Sequence, residues 1–147
     1  GSRRWKTSPL SDYDCGMSAI IFHNLQQAEG ALAAAAELDL PVTLLTAPGA
    51  AAYGGPGFFL AMVETAWMRH PEAEVRAILD CGDDGALAQM ALHAGWRCLV
   101  LRGKAVVREK VRQIALAYGG DVLARPPKAY DPGADELDVV ARCRDML

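Results

Sequence analysis

Five short runs of branched and apolar residues, SAIIF (18–22), VTLLTA (42–47), VRAILDC (75–81), RCLVLR (97–102) and DVLAR (121–125), alternate along the chain with longer segments of helical period. That alternation constrains the fold more than any other feature. A strand loses its polar/apolar alternation when both its faces are covered, and parallel strands joined by helical crossovers are the common way to cover both. The expectation is one α/β domain over residues 17–147 with a five-stranded, mainly parallel sheet. Right-handed crossovers leave two ways to build it. The preferred one is a three-layer α/β/α arrangement of flavodoxin-like or Rossmann-like kind, and the alternative is half of a (βα)8 barrel.

The intervening helices are marked by their stripes and their stops. Asn24 with Gln27 suggests a capped start, after which Leu25, Ala28, Leu32, Ala35 and Leu38 fall on one side before Pro41. Leu87, Met90, Ala91 and Ala94 form a second stripe that stops at Gly95, and Val107, Val111, Ile114, Ala115 and Tyr118 a third that ends at Gly119 and Gly120. Asp131 and Pro132 read as the start of a last helix docked by Leu137, Val140, Ala141 and Leu147. The segment GFFLAMVETAWMRH (57–70) differs, because its apolar residues cover more than half of the helical circumference. One sheet cannot bury so wide a face, so the preceding loop, the N-terminal arm or a second copy of the chain must. A homodimer through helix 57–70 is the expectation, which a monomer in sedimentation at micromolar concentration would remove.

Composition excludes several classes. With 147 residues the chain has enough length for a core without staples, and its four cysteines, Cys15, Cys81, Cys98 and Cys143, show no metal-ligand spacing. A net charge of -3 and a pI near 5.6 give no overall attraction for nucleic acid or an anionic membrane. No apolar run reaches the roughly 20 residues of a membrane helix, and the N-terminus lacks the apolar centre of a signal peptide, which points to the cytoplasm. Gly1-Ser2 resembles a tag-cleavage remnant and Met17 a natural start, so residues 1–16 are set aside as an N-terminal arm or an artificial leader.

In either architecture the functional end is where strands finish and helices begin. His23 and Asn24 follow the first strand there, and His23 is the best general acid or base by chemistry and position. The loop after the second strand, with Tyr53, Gly54 and Gly55, allows close backbone approach to a ligand under a tyrosine lid, but matches no nucleotide fingerprint. Asp80, Cys81, Asp83 and Asp84 follow the third strand: one acid suffices to cap the next helix, and the surplus suggests a magnesium site of Asp80, Asp83 and Asp84. Cys81 is a candidate nucleophile, although neighbouring carboxylates disfavour its thiolate. Arg102, Gly103 and Lys104 follow the fourth strand. Cations at a helix start oppose its dipole unless an anion is near, either the acidic turn next door or a ligand phosphate or carboxylate.

The layout of five strands and five helices, Asp80 after the third strand, Arg125-Pro126 after the fifth and the closing ADELDVVARCRDML resemble response-regulator receiver domains. The chain departs from that family's pattern at His23-Asn24, Arg102 and Arg125, which replace an acidic pair, a small hydroxyl residue and a lysine. The resemblance therefore implies a non-catalytic, interaction-only relative. Three functions follow: a binder of a small anionic ligand at the strand ends, with His23, Asp80 and Cys81 as the candidate reactive groups; a degenerate receiver-like interaction module; and a dimeric half-barrel lyase or isomerase using His23 or Asp80 as its base.

Overall fold

The computed structural model describes residues 5–6, 18–134, 136 and 138–147. In chain order the elements are β1 (Trp5–Lys6), β2 (Ser18–Phe22), α1 (Leu25–Leu38), β3 (Val42–Thr46), α2 (Ala51–Gly54), α3 (Pro56–Arg69), β4 (Val75–Asp80), α4 (Gly85–Ala94), β5 (Cys98–Val100), α5 (Ala105–Ala117), β6 (Asp121–Leu123), β7 (Ala129–Tyr130) and α6 (Val139–Met146). The five expected strands are present as β2 to β6. All pairings are parallel, and the sheet runs β6-β5-β4-β3-β2-β7, with β1 beside the start of β4.

Strands β2 to β6 thus lie side by side in chain order. A doubly wound sheet reverses direction at a switch point, whereas here every crossover steps the same way, and right-handed crossovers that never reverse put their helices on one face. Helix contacts agree: α1 packs on α3, α3 on α4, α4 on α5, and α6 returns to α1. Of the two arrangements open to the sequence, this strand order is the half barrel's. The receiver-like layout does not hold, because there the first strand lies between the second and third.

Both faces of the sheet are buried, as the unbroken apolar runs require. Ile20, Phe22, Val42, Leu44, Val75, Ala77, Leu79, Leu99 and Val122 meet the helices in the main core. Ala28, Ala31 and Ala35 of α1 and Ala88 and Ala91 of α4 are small enough to let those helices approach the strands closely. The alternate residues Leu45, Ile78, Cys98, Val100 and Leu123 form a separate cluster in which every member lies on a strand. Trp96, fully buried, enters the main core ahead of β5 and donates its indole N–H to the Pro56 carbonyl at 2.9 Å.

Helix limits follow local chemistry. Asn24 caps α1 by accepting the Gln27 N–H at 2.9 Å, as its spacing suggested, and Asp84 caps α4 through the Leu87 N–H at 3.0 Å. The last helix is a correction: it starts at Val139 under an Asp138 cap, not near Asp131. Asp131 Oδ1 instead accepts the Gly133 N–H at 2.8 Å, and Gly133 at φ +85° turns the chain away from helix. Asp135 and Leu137 lie outside the described residues. Phe59, Leu60, Val63 and Ala66 of α3 are buried, and the surplus apolar surface of this helix stays outside, with Phe58 57% and Met68 73% exposed in the single chain. No helix among the described residues is long and apolar enough to cross a membrane.

Candidate functional site

Register places the candidate residues on one rim. Phe22 pairs with Thr46 and Leu45 with Ile78, so His23, Ala47 and Asp80 occupy one row across β2, β3 and β4. Asp80 pairs with Val100, and Arg102 follows two residues later. His23, Asp80 and Arg102 continue the alternation of Ile21, Ile78 and Val100, the side away from the helices. Two strand spacings separate His23 from Asp80, about 10 Å between backbones.

Asp80 is the hub of this rim. Only 1% of it is exposed, and its Oδ1 accepts from Arg102 Nη1 at 2.6 Å, the Gly82 N–H at 2.9 Å and the Gly49 N–H at 3.1 Å. Its backbone N–H donates to Thr46 Oγ1 at 2.8 Å. Gly49 and Gly82 both sit in the left-handed region, at φ +70° and +63°, which lets two tight turns aim their amides at one carboxylate. The turn after β5 joins them, with the Arg102 N–H bound to the Gly82 carbonyl and Gly103 packed against Asp83. The hydrogen bond to Asp80 holds the Arg102 guanidinium above its ordinary pKa despite partial burial. About a third of the Arg102 side chain still faces solvent, beside the exposed Lys104, which heads α5 without capping it.

A second polar pair stands at the β2 end of the rim. His23 Nε2 lies 2.7 Å from Asp131 Oδ1. Burial pushes the Asp131 carboxyl up, but the His23 hydrogen bond, the Gly133 amide and the His23 charge outweigh it and hold the pKa below its ordinary value. A depressed carboxylate stabilises the fold fully above its unfolded pKa, near 4, and that contribution is lost as pH falls through the lowered value. Asp131 was legible only as a helix cap, and its pairing with a residue 108 positions away has no local signal.

The other candidate residues lie in the turn after β4, at the head of α1 and around α2. The carboxylates of Asp80, Asp83 and Asp84 do not converge: Asp80 turns to Arg102, Asp84 to the amides of α4, and Asp83 is exposed. Among the described residues no group of three or more His, Cys, Asp or Glu side chains could hold a metal ion, so these three acids do not form the expected cluster. Cys81 is 2% exposed and belongs to the helix-side core, and burial, reinforced by the charges of Asp80 and Asp84, pushes its thiol up to about 12. Its sulfur packs in the core, and burial disfavours the thiolate that a nucleophile needs. Asn24 uses its side-chain oxygen on the α1 cap. Tyr53 is 90% exposed at α2, with Gly54 and Gly55 between it and α3.

Residues 10–109 match the family described as fructose-bisphosphate aldolase class-II. The chain is 29% identical over 92 residues to the plasmid fructose-bisphosphate aldolase of Cupriavidus necator, an alignment covering 63% of this chain and 27% of that protein. A crystal structure from Coccidioides immitis, assigned as a fructose-1,6-bisphosphate aldolase, superposes with a TM-score of 0.57 at 18% identity, over 72% of this chain and 39% of the other. The chain therefore spans well under half the length of either relative.

Proposed function

The chain belongs to the class-II fructose-bisphosphate aldolase family, and from that premise we propose that its strand-end rim binds a phosphorylated sugar or a shorter phosphorylated carbonyl compound of the kind an aldolase forms or cleaves. The observation that carries this reading is the Asp80 hub. It fixes the turns after β3, β4 and β5 to one another and presents the outer edge of Arg102, next to Lys104 and the first amides of α5, to solvent. A guanidinium with one edge anchored and another free suits a phosphate or carboxylate that approaches from outside. Family membership narrows the anion to a sugar phosphate, since both relatives are named as aldolases of a bisphosphorylated sugar.

A second reading draws on the same contact: Asp80 and Arg102 neutralise each other, as they would in a non-catalytic interaction module. Thermal shift separates the two. Fructose 1,6-bisphosphate at a hundredfold excess over its Kd stabilises a binder by about 2.7 kcal/mol, which is on the order of 5–10 °C in Tm for a chain of this size. That shift should shrink strongly in Arg102→Ala and Lys104→Ala. A flat response of the wild type across sugar phosphates and inorganic phosphate would favour the interaction module.

A further inference from the structure

We propose that residues 124–128 are a strap that rolls the parallel sheet onto itself and seals its inner face within one chain, and that Gln27 is the clasp that keeps the strap shut. β6 and β7 stand at opposite ends of the strand order, five spacings apart. Laid flat, such a sheet separates them by about 24 Å. Only six peptide steps lead from Leu123 to Ala129, and even a fully extended chain covers at most about 21 Å in that number. The two edges are therefore drawn toward each other. The inner cluster agrees, since Leu123 of β6 belongs to the same apolar cluster as Ile21 of β2 and Ala129 of β7. Ile78, Cys98 and Val100 in that cluster have no exposed surface, although every member lies on a strand.

Polar contacts hold the far end of the strap. Asp131 Oδ1 lies 2.7 Å from His23 Nε2 and accepts the Gly133 N–H at 2.8 Å. Gln27, with no exposed surface, ties the two segments together from inside. Its Oε1 accepts the His23 backbone N–H at 2.9 Å, and its Nε2 donates to the carbonyls of Gly133 at 2.7 Å and Glu136 at 3.4 Å. Capping α1 needs none of this, because Asn24 supplies the cap. Farther on, α6 packs along α1, and Arg144 Nη2 donates to Glu37 Oε2 at 2.9 Å. β6, the strap, β7 and α6 all follow residue 109, where the family match ends, so the matched region does not include the closure. A half barrel without such a device leaves an apolar inner face for a second copy to cover. Here the chain covers its own, and Asp131 arrives on the rim with the strap, so the β2 end of the rim is whole only while the strap is shut.

The Cys98 thiol reports on the inner face, and Cys81 on the helix side is its control. Timed alkylation with iodoacetamide, read by mass spectrometry of the peptides, should find both protected in the wild type. Asp131→Ala removes the contacts to His23 and Gly133, and Gln27→Leu removes the buried ones while keeping the side chain's bulk. Each should raise Cys98 labelling about tenfold or more over the wild type, together with amide hydrogen exchange at Tyr130 and α6, and leave Cys81 unchanged. The Asp131 side chain is 46% exposed, so its removal opens no core cavity, and that variant decides the closure even where Gln27→Leu fails to fold. Cys98 unmoved in folded Asp131→Ala overturns the closure, and a folded Gln27→Leu protein that labels like the wild type overturns the clasp. Equal rises at Cys98 and Cys81 mean that the whole chain opens as one unit and overturn the strap as a separate device. Wild-type Cys98 labelling that speeds up on dilution from about 100 to about 1 µM makes a second copy the cover, by mass action, and overturns the proposal.

Discussion

Replacing Asp80 with alanine should lower the folding free energy by about 3–5 kcal/mol, the range for removing one partner of a buried ion pair. The Arg102 side chain is about a third exposed, which screens the orphaned cation and favours the lower half of that range. The larger loss is the two amides: Gly49 and Gly82 N–H groups point at the same carboxylate oxygen, and alanine leaves both without it. Asp80→Asn keeps a carbonyl oxygen in place and loses only the charge, so about 1–3 kcal/mol is expected. Urea unfolding of the wild type, both single variants, Arg102→Ala and the double Asp80→Ala/Arg102→Ala chain measures these values. The double variant should be less destabilised than the sum of its parts, because the two residues share one interaction.

Trp96→Ala should be as severe, at about 3–5 kcal/mol, the usual cost of emptying a buried tryptophan site. The indole is fully buried, and it reaches from the start of β5 to the first residue of α3. Trp96→Phe retains most of the ring but drops the bond to the Pro56 carbonyl, so about 1–3 kcal/mol is expected. Chemical denaturation followed by far-UV circular dichroism reads both, and a Trp96→Ala loss under about 1 kcal/mol would mean that the surrounding core collapses onto the site.

The strands were legible because burial on both faces leaves a composition that little else produces: VRAILDC and RCLVLR carry no outward polar stripe. For the same reason their order was not legible. When both faces are apolar, nothing in Val75, Ala77 or Ile78 tells which neighbour lies on which side, and only the observed pairings separate a half barrel from a doubly wound sheet. β7 was missed because two paired residues, Ala129 and Tyr130, carry no periodicity. Asp131-Pro132-Gly133 suits a helix start and a tight turn equally well until Gly133 adopts a positive φ. In the site, an acidic neighbour for Arg102 was foreseeable from the cost of a cation at a helix start. The double duty of Gln27 was not, because its partners lie 106 and 109 residues away.

Amide chemical shifts during titration with fructose 1,6-bisphosphate test most directly whether the strand ends form one ligand site. Saturable changes should appear together at Gly49, Gly82, Gly103 and Lys104, extend to His23, and vanish from the same residues in Arg102→Ala. Changes scattered over the helices, or none at millimolar ligand, would contradict it.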